Sequence, residues 1–196
     1  MPVGNGRLRV IGGILRGRRI DTLPGESIRP TGDRVREALF DILGPKVAGA
    51  AFLDIYAGTG AIGIEALSRG AREVTFIESD AVAADLIRRN LARSASEPVR
   101  SRLITRDSAQ AVALLEREER RFDFIYLDPP YEGGELERGL LVVGESGLLG
   151  EGAIVIGEHD ARTAPPSCAG LAAYRTARYG RTALTFFAVV DANRAR

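Results

Sequence analysis

The chain has 196 residues and a mass of 21.0 kDa, which predicts one globular domain or one domain with a modest extension. Hydrophobic residues make up 45% and charged residues 27% of it, so a sizeable core can form and wholesale disorder is excluded. The 27 basic and 26 acidic side chains leave a net charge of +1, which by itself indicates neither a nucleic-acid nor a membrane partner. The charge is uneven, however, because residues 1–40 carry eight Arg against four acids and the rest of the chain is net acidic.

The N-terminal segment RLRVIGGILRGRRIDTLPG contains two short strand-like runs around glycines and predicts a small protruding hairpin. The following stretch, TGDRVREALFDIL, predicts a helix with Thr31 as its N-cap and with Val35, Leu39 and Ile42 on one buried face. We divide the chain into a basic extension over residues 1–28 and a main domain over residues 29–196.

From Ala51 onward, short apolar runs alternate with amphipathic stretches, the pattern of a parallel sheet with crossover helices. This predicts an open doubly wound α/β sheet. The last two runs are joined by a connection too short for a crossover, so they predict an antiparallel hairpin at the sheet edge. The predicted strands are Phe52–Tyr56, Glu73–Glu78, Arg102–Arg106, Phe122–Asp128, Gly152–Glu158, Leu171–Arg178 and Thr182–Val190.

The segment FLDIYAGTGAIGIEAL is an apolar strand that ends in a glycine turn and leads into a helix. Gly58, Gly60 and Gly63 fit the spacing G-x-G-x-x-G, and Glu78 follows Gly58 by 20 residues, where a carboxylate can accept both hydroxyls of a ribose. This pattern indicates a nucleoside-containing cofactor, and the alternative is a glycine turn without a ligand.

An acid inside the first strand favours one cofactor. Asp54 precedes Gly58 by four residues, where an anion would disfavour a pyrophosphate but suit a ligand carrying an ammonium and a sulfonium. We therefore predict S-adenosyl-L-methionine. Asp107 follows the third strand, where folds that resemble this one place a residue beside the adenine amino group, and it can also cap the next helix.

The second strong motif is FDFIYLDPPYEGG, in which a buried strand delivers Asp128, Pro129, Pro130 and Tyr131 to the carboxyl edge of the sheet. An amino nitrogen conjugated with a ring is a poor nucleophile. The Asp128 carboxylate and the Pro129 carbonyl can both accept from it and orient its lone pair, while Tyr131 can stack on the base. The motif predicts methyl transfer to an exocyclic amine, although a plain strand-ending turn would also contain such residues.

The extension contains five arginines and no acid over residues 1–20, which predicts contacts with RNA phosphates, the alternative being a solvated face. Removal of residues 1–20 should then weaken RNA binding and leave the affinity for the cofactor unchanged. These arginines are Arg7, Arg9, Arg16, Arg18 and Arg19.

The sequence has one cysteine and one histidine, the residue types that a metal site or a covalent nucleophile would use. The single cysteine, Cys168, excludes an internal disulfide and lies outside the motifs, so the cysteine-dependent route of cytosine-C5 methylation has no nucleophile. A lone histidine, His159, cannot build a metal site, and we expect no metal there and no catalytic role for this residue. No run approaches the length of about 18 residues that spans a bilayer, so we expect a cytoplasmic protein without a membrane partner.

Four segments, RPTGDRVREALFDIL, FLDIYAGTGAIGIEALSRGA, FIESD and FIYLDPPY, occur in this order and resemble the bacterial RsmD-type 16S rRNA guanine-N2 methyltransferases. The resemblance runs from about Arg9 to Phe187. It implies a class I S-adenosylmethionine-dependent fold of seven strands with the last antiparallel, and a guanine of 16S rRNA in the 30S particle as target. It also implies that Asp54, Gly58, Gly60, Glu78 and Asp107 bind cofactor and that Asp128 to Tyr131 hold the base. We expect a monomer.

Three other functions fit part of the pattern. An adenine-N6 DNA methyltransferase would use the same apparatus, since adenine also offers a conjugated amine. An NAD-dependent dehydrogenase would use the glycine turn but leaves D-P-P-Y unexplained. A ribosome-assembly factor without catalysis would leave the acids of the cofactor site without a role.

Overall fold

A computed structural model of the chain describes residues 8–23, 30–94, 100–131 and 133–190. In this part of the chain no helix is long and apolar enough to cross a membrane. The elements in chain order are α1 (Pro30–Leu43), a short 3-10 turn (Gly44–Val47), β1 (Ala51–Ile55), α2 (Ala61–Ser68), β2 (Glu73–Ile77), α3 (Ala81–Ser94), β3 (Arg100–Ile104), α4 (Ser108–Arg117), β4 (Phe122–Leu127), α5 (Glu135–Glu145), β5 (Leu149–Asp160), β6 (Leu171–Tyr179) and β7 (Thr182–Val189).

These seven strands form one sheet in the order β3-β2-β1-β4-β5-β7-β6. Strands β1 to β5 are parallel, whereas β7 runs antiparallel to both of its neighbours. The predicted α/β fold with an antiparallel last strand is therefore confirmed. The strand order reverses between β1 and β4, and in open α/β sheets ligands bind outside the carboxyl ends of the strands at such a point.

Both faces of the sheet are covered, which explains why most residues of its central strands are apolar. Successive strand residues point to opposite faces, so Phe52 joins one hydrophobic cluster and Leu53 the other. The first cluster includes Phe40 of α1, and the second includes Val112 of α4 and Leu140 of α5.

Several boundaries differ from the predicted ones. β3 starts at Arg100, two residues early, because its pairing with β2 begins there. β5 continues to Asp160 because it keeps pairing with β7 after β4 has ended. α1 begins at Pro30, so Thr31 lies inside the helix and not at its N-cap.

The hairpin predicted near the N-terminus is present in a minimal form, with an antiparallel bridge between Arg9 and Arg19. It does not protrude. Val10, Leu15 and Ile20 are each 2% exposed and belong to the hydrophobic cluster that contains α1. Residues 8–23 therefore share the core of the domain, and the expectation of a projecting hairpin is wrong for them.

A buried acid on α2 fastens this hairpin to the domain. Glu65 is fully buried and accepts from the backbone N–H groups of Ile11 and Gly12, both at 2.7 Å. Its Oε1 also accepts from Arg69 Nε at 2.8 Å, and its Oε2 lies 3.7 Å from Nε of the buried Arg36. One carboxylate thus joins the hairpin, α1 and α2.

Candidate active site

The turn after β1 is the first part of the chain to reach the carboxyl edge of the sheet. Tyr56, Gly58 and Gly60 have φ angles of 64°, 53° and 77°. A positive φ is uncommon for a bulky residue, and such strain clusters at functional sites. A Cβ on Gly58 would meet nothing within 4 Å, so the backbone faces open space there and a ligand can approach it closely.

The third glycine of the predicted spacing has a different role. A Cβ on Gly63 would lie 2.2 Å from Cε1 of Phe76 on β2. Gly63 is therefore required by the close packing of α2 on the sheet. The first two glycines form the turn, and the third lets α2 approach β2.

Glu78 follows β2 and lies beside the glycine turn. Its Oε2 accepts from the Gly58 N–H at 2.8 Å, and its Oε1 accepts from the Asp80 N–H at 2.9 Å. A carboxylate oxygen has room for a second hydrogen bond. Glu78 can therefore hold the turn in place and still accept the hydroxyls of a ribose.

Asp54 lies beneath the turn. It is 1% exposed, and its Oδ2 accepts from the Gly63 N–H at 3.0 Å near the start of α2. Burial raises the pKa of Asp54 to about 8, a shift that the Gly63 N–H opposes and the charge of Glu78 reinforces. A cationic ligand above the turn would favour the ionised form.

Asp107 caps α4, because its Oδ1 accepts from the Ala109 N–H at 2.9 Å. The next side chain, Ser108 Oγ, lies 3.2 Å from Tyr56 Oη and so links the end of β3 to the glycine turn. The predicted cofactor residues therefore lie along the adjoining ends of β1, β2 and β3.

The D-P-P-Y motif lies beside this row at the end of β4. The Asp128 N–H donates to the Ile55 carbonyl of β1 at 3.4 Å. The Asp128 side chain is exposed, Pro129 is buried and Pro130 is exposed. The two predicted motifs thus meet at the β1–β4 switch point, where the topology is expected to hold a ligand.

Tyr131 is 46% exposed but is held at its hydroxyl. Its Oη donates to Glu158 Oε1 at 3.1 Å and lies 3.2 Å from Thr182 Oγ1. The buried Tyr126 donates to the other oxygen of Glu158. The pKa of both phenols is raised, first by burial and then by the Glu158 carboxylate.

Glu158 and Thr182 were not among the predicted site residues. The signal for Glu158 was present, since it is an acid near the carboxyl end of β5, next to the strand that carries Asp128. No local pattern marks Thr182, which comes near Tyr131 only because β7 pairs with β5. A cleft of about 120 Å³ opens beside these side chains, between Pro129–Tyr131, Gly134–Glu137 and Glu158–Asp160.

The predicted RNA-binding arginines differ in their surroundings. Arg9 Nη1 donates to the Gly17 carbonyl at 2.7 Å, and Arg18 Nη1 donates to the Arg93 carbonyl at 2.7 Å. Arg19 lies 3.4 Å from Asp21 and keeps 52% of its side chain exposed. Arg16 is exposed, and Arg7 lies outside the described residues.

The two remaining residues that the sequence singled out, His159 and Cys168, make contacts within the fold. His159 is 6% exposed and lies inside the sheet, where its Nε2 is 2.9 Å from Thr185 Oγ1 and its Nδ1 is 3.0 Å from the Asp160 carbonyl. Cys168 packs against the hydrophobic cluster of α4 and α5. Among the residues that the structure describes, no group of three or more His, Cys, Asp or Glu side chains could hold a metal ion.

Comparison with known proteins agrees with this architecture. The family model described as "Conserved hypothetical protein 95" matches residues 8–188. The ribosomal RNA small subunit methyltransferase D of Haemophilus influenzae is 35% identical over 154 residues, covering 79% of each chain. The solved structure of yhhF from Escherichia coli has a TM-score of 0.81 at 29% identity and covers 94% of this chain and 98% of that one. A SAM-dependent methyltransferase from Agrobacterium tumefaciens, 17% identical, shares the fold with a TM-score of 0.62 over 83% of this chain and 63% of its own.

Proposed function

This chain belongs to the RsmD-type family of rRNA methyltransferases, and on that basis we propose that it transfers a methyl group from S-adenosyl-L-methionine to the N2 amino group of a guanine in 16S rRNA. The observation that carries the proposal is the position of Asp128 and Pro129 directly beside the glycine turn, at the paired ends of β4 and β1. We further propose that the substrate is the 30S particle and that the protein acts on it as a cytoplasmic monomer.

The residues around the turn fit the proposed cofactor. S-adenosyl-L-methionine supplies an electrophilic methyl group bound to a positively charged sulfur. Gly58 offers backbone without a Cβ to a ligand, Glu78 has acceptor capacity for ribose hydroxyls, and the exposed Asp107 can accept from the adenine amino group. The Glu78 carboxylate beside the turn suits a cation, and a cation bound above the turn would also favour the ionised form of Asp54, whose pKa is raised by burial.

The residues of D-P-P-Y fit an amine substrate. The Asp128 carboxylate and the Pro129 carbonyl accept from the N2 amino group, turn its lone pair toward the methyl group and stabilise the positive charge that develops on nitrogen. Pro130 fixes the direction of the backbone, and Tyr131 stacks on the base after the nucleotide has been flipped out of the RNA. The methylated aromatic amine then loses its proton readily, so no strong base is needed.

The extension supplies the proposed RNA surface. Arg9, Arg16 and Arg19 are exposed on a hairpin that is anchored to α2, and guanidinium groups suit bidentate contact with phosphate. Such contacts position the RNA without reading its sequence. We therefore assign to the extension the affinity for RNA and to the cleft beside D-P-P-Y the choice of base.

The test is methyl transfer from labelled cofactor to 30S subunits that lack the modification, to free 16S rRNA and to naked DNA, followed by mass mapping of the methyl group. We expect Asp128→Ala to lower the rate by about 100- to 1,000-fold, the size of a lost electrostatic contact to the transition state, with nearly unchanged cofactor affinity. Asp41→Asn, on the exposed side of α1, is the control. Wild-type turnover in Asp128→Ala, or methyl transfer only to DNA, would refute the assignment.

A further inference from the structure

Two acidic residues occupy neighbouring positions on adjacent stretches of the chain where β4 ends and β5 continues. Leu127 pairs with Gly157 in the parallel register, so Asp128 and Glu158 are the next residues on strands that run about 4.8 Å apart. Burial is the largest cause of the raised pKa of Tyr126 and of Tyr131, and the negative charges of Glu158 and Asp128 raise it further. The two acids therefore lie near the same pair of phenols, on the side of the sheet where the base is proposed to bind.

Glu158 is oriented as a hydrogen-bond acceptor. Tyr126 holds one of its oxygens from the core, and Tyr131 holds the other at 3.1 Å. Each carboxylate oxygen can accept a second hydrogen bond, and Glu158 lines the cleft beside D-P-P-Y. Glu158 therefore lines this cleft with its carboxylate held in a fixed direction.

Two neighbouring acceptors match a base that has two neighbouring donors. Guanine carries N1–H next to its N2 amino group, whereas adenine and cytosine carry an acceptor nitrogen next to their amino groups. We propose that Glu158 selects guanine by accepting a hydrogen bond from N1–H while Asp128 and Pro129 hold the N2 amino group, an inference that rests on the function proposed above. An adenine in this position would turn the lone pair of N1 toward the carboxylate, and such repulsion excludes the wrong base.

The base analogue 2-aminopurine tests this directly, because it keeps the 2-amino group and has no hydrogen on N1. Once the methylated guanine is mapped, 30S subunits are assembled with guanine or 2-aminopurine at that position, and single-turnover methyl transfer is measured. For the wild-type protein we expect guanine to react about 10- to 100-fold faster, the size of one hydrogen bond to a charged acceptor. For Glu158→Gln, whose amide can donate to the bare N1, we expect this ratio to fall to about one.

Two further variants separate selection from other effects. Glu151→Gln makes the same charge change at the exposed start of β5 and should keep the wild-type ratio. Tyr131→Phe keeps the aromatic ring and removes the hydroxyl that holds one oxygen of Glu158, so we expect its ratio to lie between those of the wild-type protein and Glu158→Gln. A ratio near one in the wild-type protein, or an unchanged ratio in Glu158→Gln, would overturn the role of Glu158 while the proposed function stands. If mapping finds no N2-methylguanine with the wild-type protein, the proposed function itself fails.

Discussion

Removal of the Glu65 carboxylate tests how the hairpin is held to the domain. In Glu65→Ala the N–H groups of Ile11 and Gly12 lose their acceptor, and the buried Arg36 loses a carboxylate 3.7 Å from its Nε. A buried donor without a partner costs about 1–3 kcal/mol, and breaking a buried ion pair costs about 3–5 kcal/mol. Arg36 keeps two other hydrogen bonds, so these costs do not add in full. We expect the free energy of unfolding to fall by about 3–5 kcal/mol.

The assay is urea unfolding at neutral pH, together with hydrogen exchange of the backbone amides. The amides of the hairpin should exchange faster in Glu65→Ala, while those of β1 and β4 keep a larger part of their protection. Glu37→Gln removes a charge from the exposed side of α1 and should change stability by no more than about 0.5 kcal/mol. A loss below about 1 kcal/mol in Glu65→Ala, or unchanged protection of the hairpin, would refute the reasoning.

Two further predictions concern charge. Because the pKa of Asp54 is raised to about 8 from an unfolded value of about 4, the stability that it contributes is complete below that lower value and is lost as the pH rises to the higher one. Asp54→Asn keeps an acceptor for the Gly63 N–H and cannot ionise. The difference in urea midpoint between this variant and the wild-type protein should therefore increase in favour of the variant as the pH is raised from about 5 to about 9. A difference that stays constant over this range would contradict the reasoning. Arg16→Ala and Arg19→Ala should each reduce the slope of log affinity for RNA against log salt by about 1 and leave cofactor affinity unchanged. Arg117→Ala, on α4, is the control, and an unchanged slope in both hairpin variants would remove them from the RNA surface.

The sequence alone suggests a deletion of residues 1–20 as the test of RNA binding, but the structure favours point substitutions. Val10, Leu15 and Ile20 are core residues, so the deletion would open the hydrophobic cluster under α1 and disturb the whole domain. The arginine variants leave these apolar contacts intact. They therefore separate RNA affinity from folding.

The sheet and the two motifs could be predicted because their signals are local. Alternating apolar runs mark the strands, and D-P-P-Y follows a buried strand in the same way that the glycine turn does. Their meeting at one edge follows from the parallel topology alone. The resemblance to the rRNA methyltransferases, based on the same segments, is confirmed by the family comparison.

The features that were missed depend on contacts between distant parts of the chain. Glu65 lies in the apolar run AIGIEALS, and an acid in such a run could have indicated a buried partner, but the sequence does not show that the partner is the hairpin. Thr182 approaches Tyr131 across 51 residues. The left-handed backbone of Tyr56 has no signal in residue type, since tyrosine is not expected there.

The docking of the hairpin on α2 also bears on how this protein can change over evolution. A segment that projected from the domain could be exchanged between relatives as a module. In this protein the arginines belong to a hairpin whose backbone N–H groups donate to Glu65. The apolar side chains of the same hairpin pack in the hydrophobic cluster that contains α1. A transplanted hairpin would therefore need a matching α1 and α2, and the surface proposed to bind RNA is inherited together with the catalytic sheet.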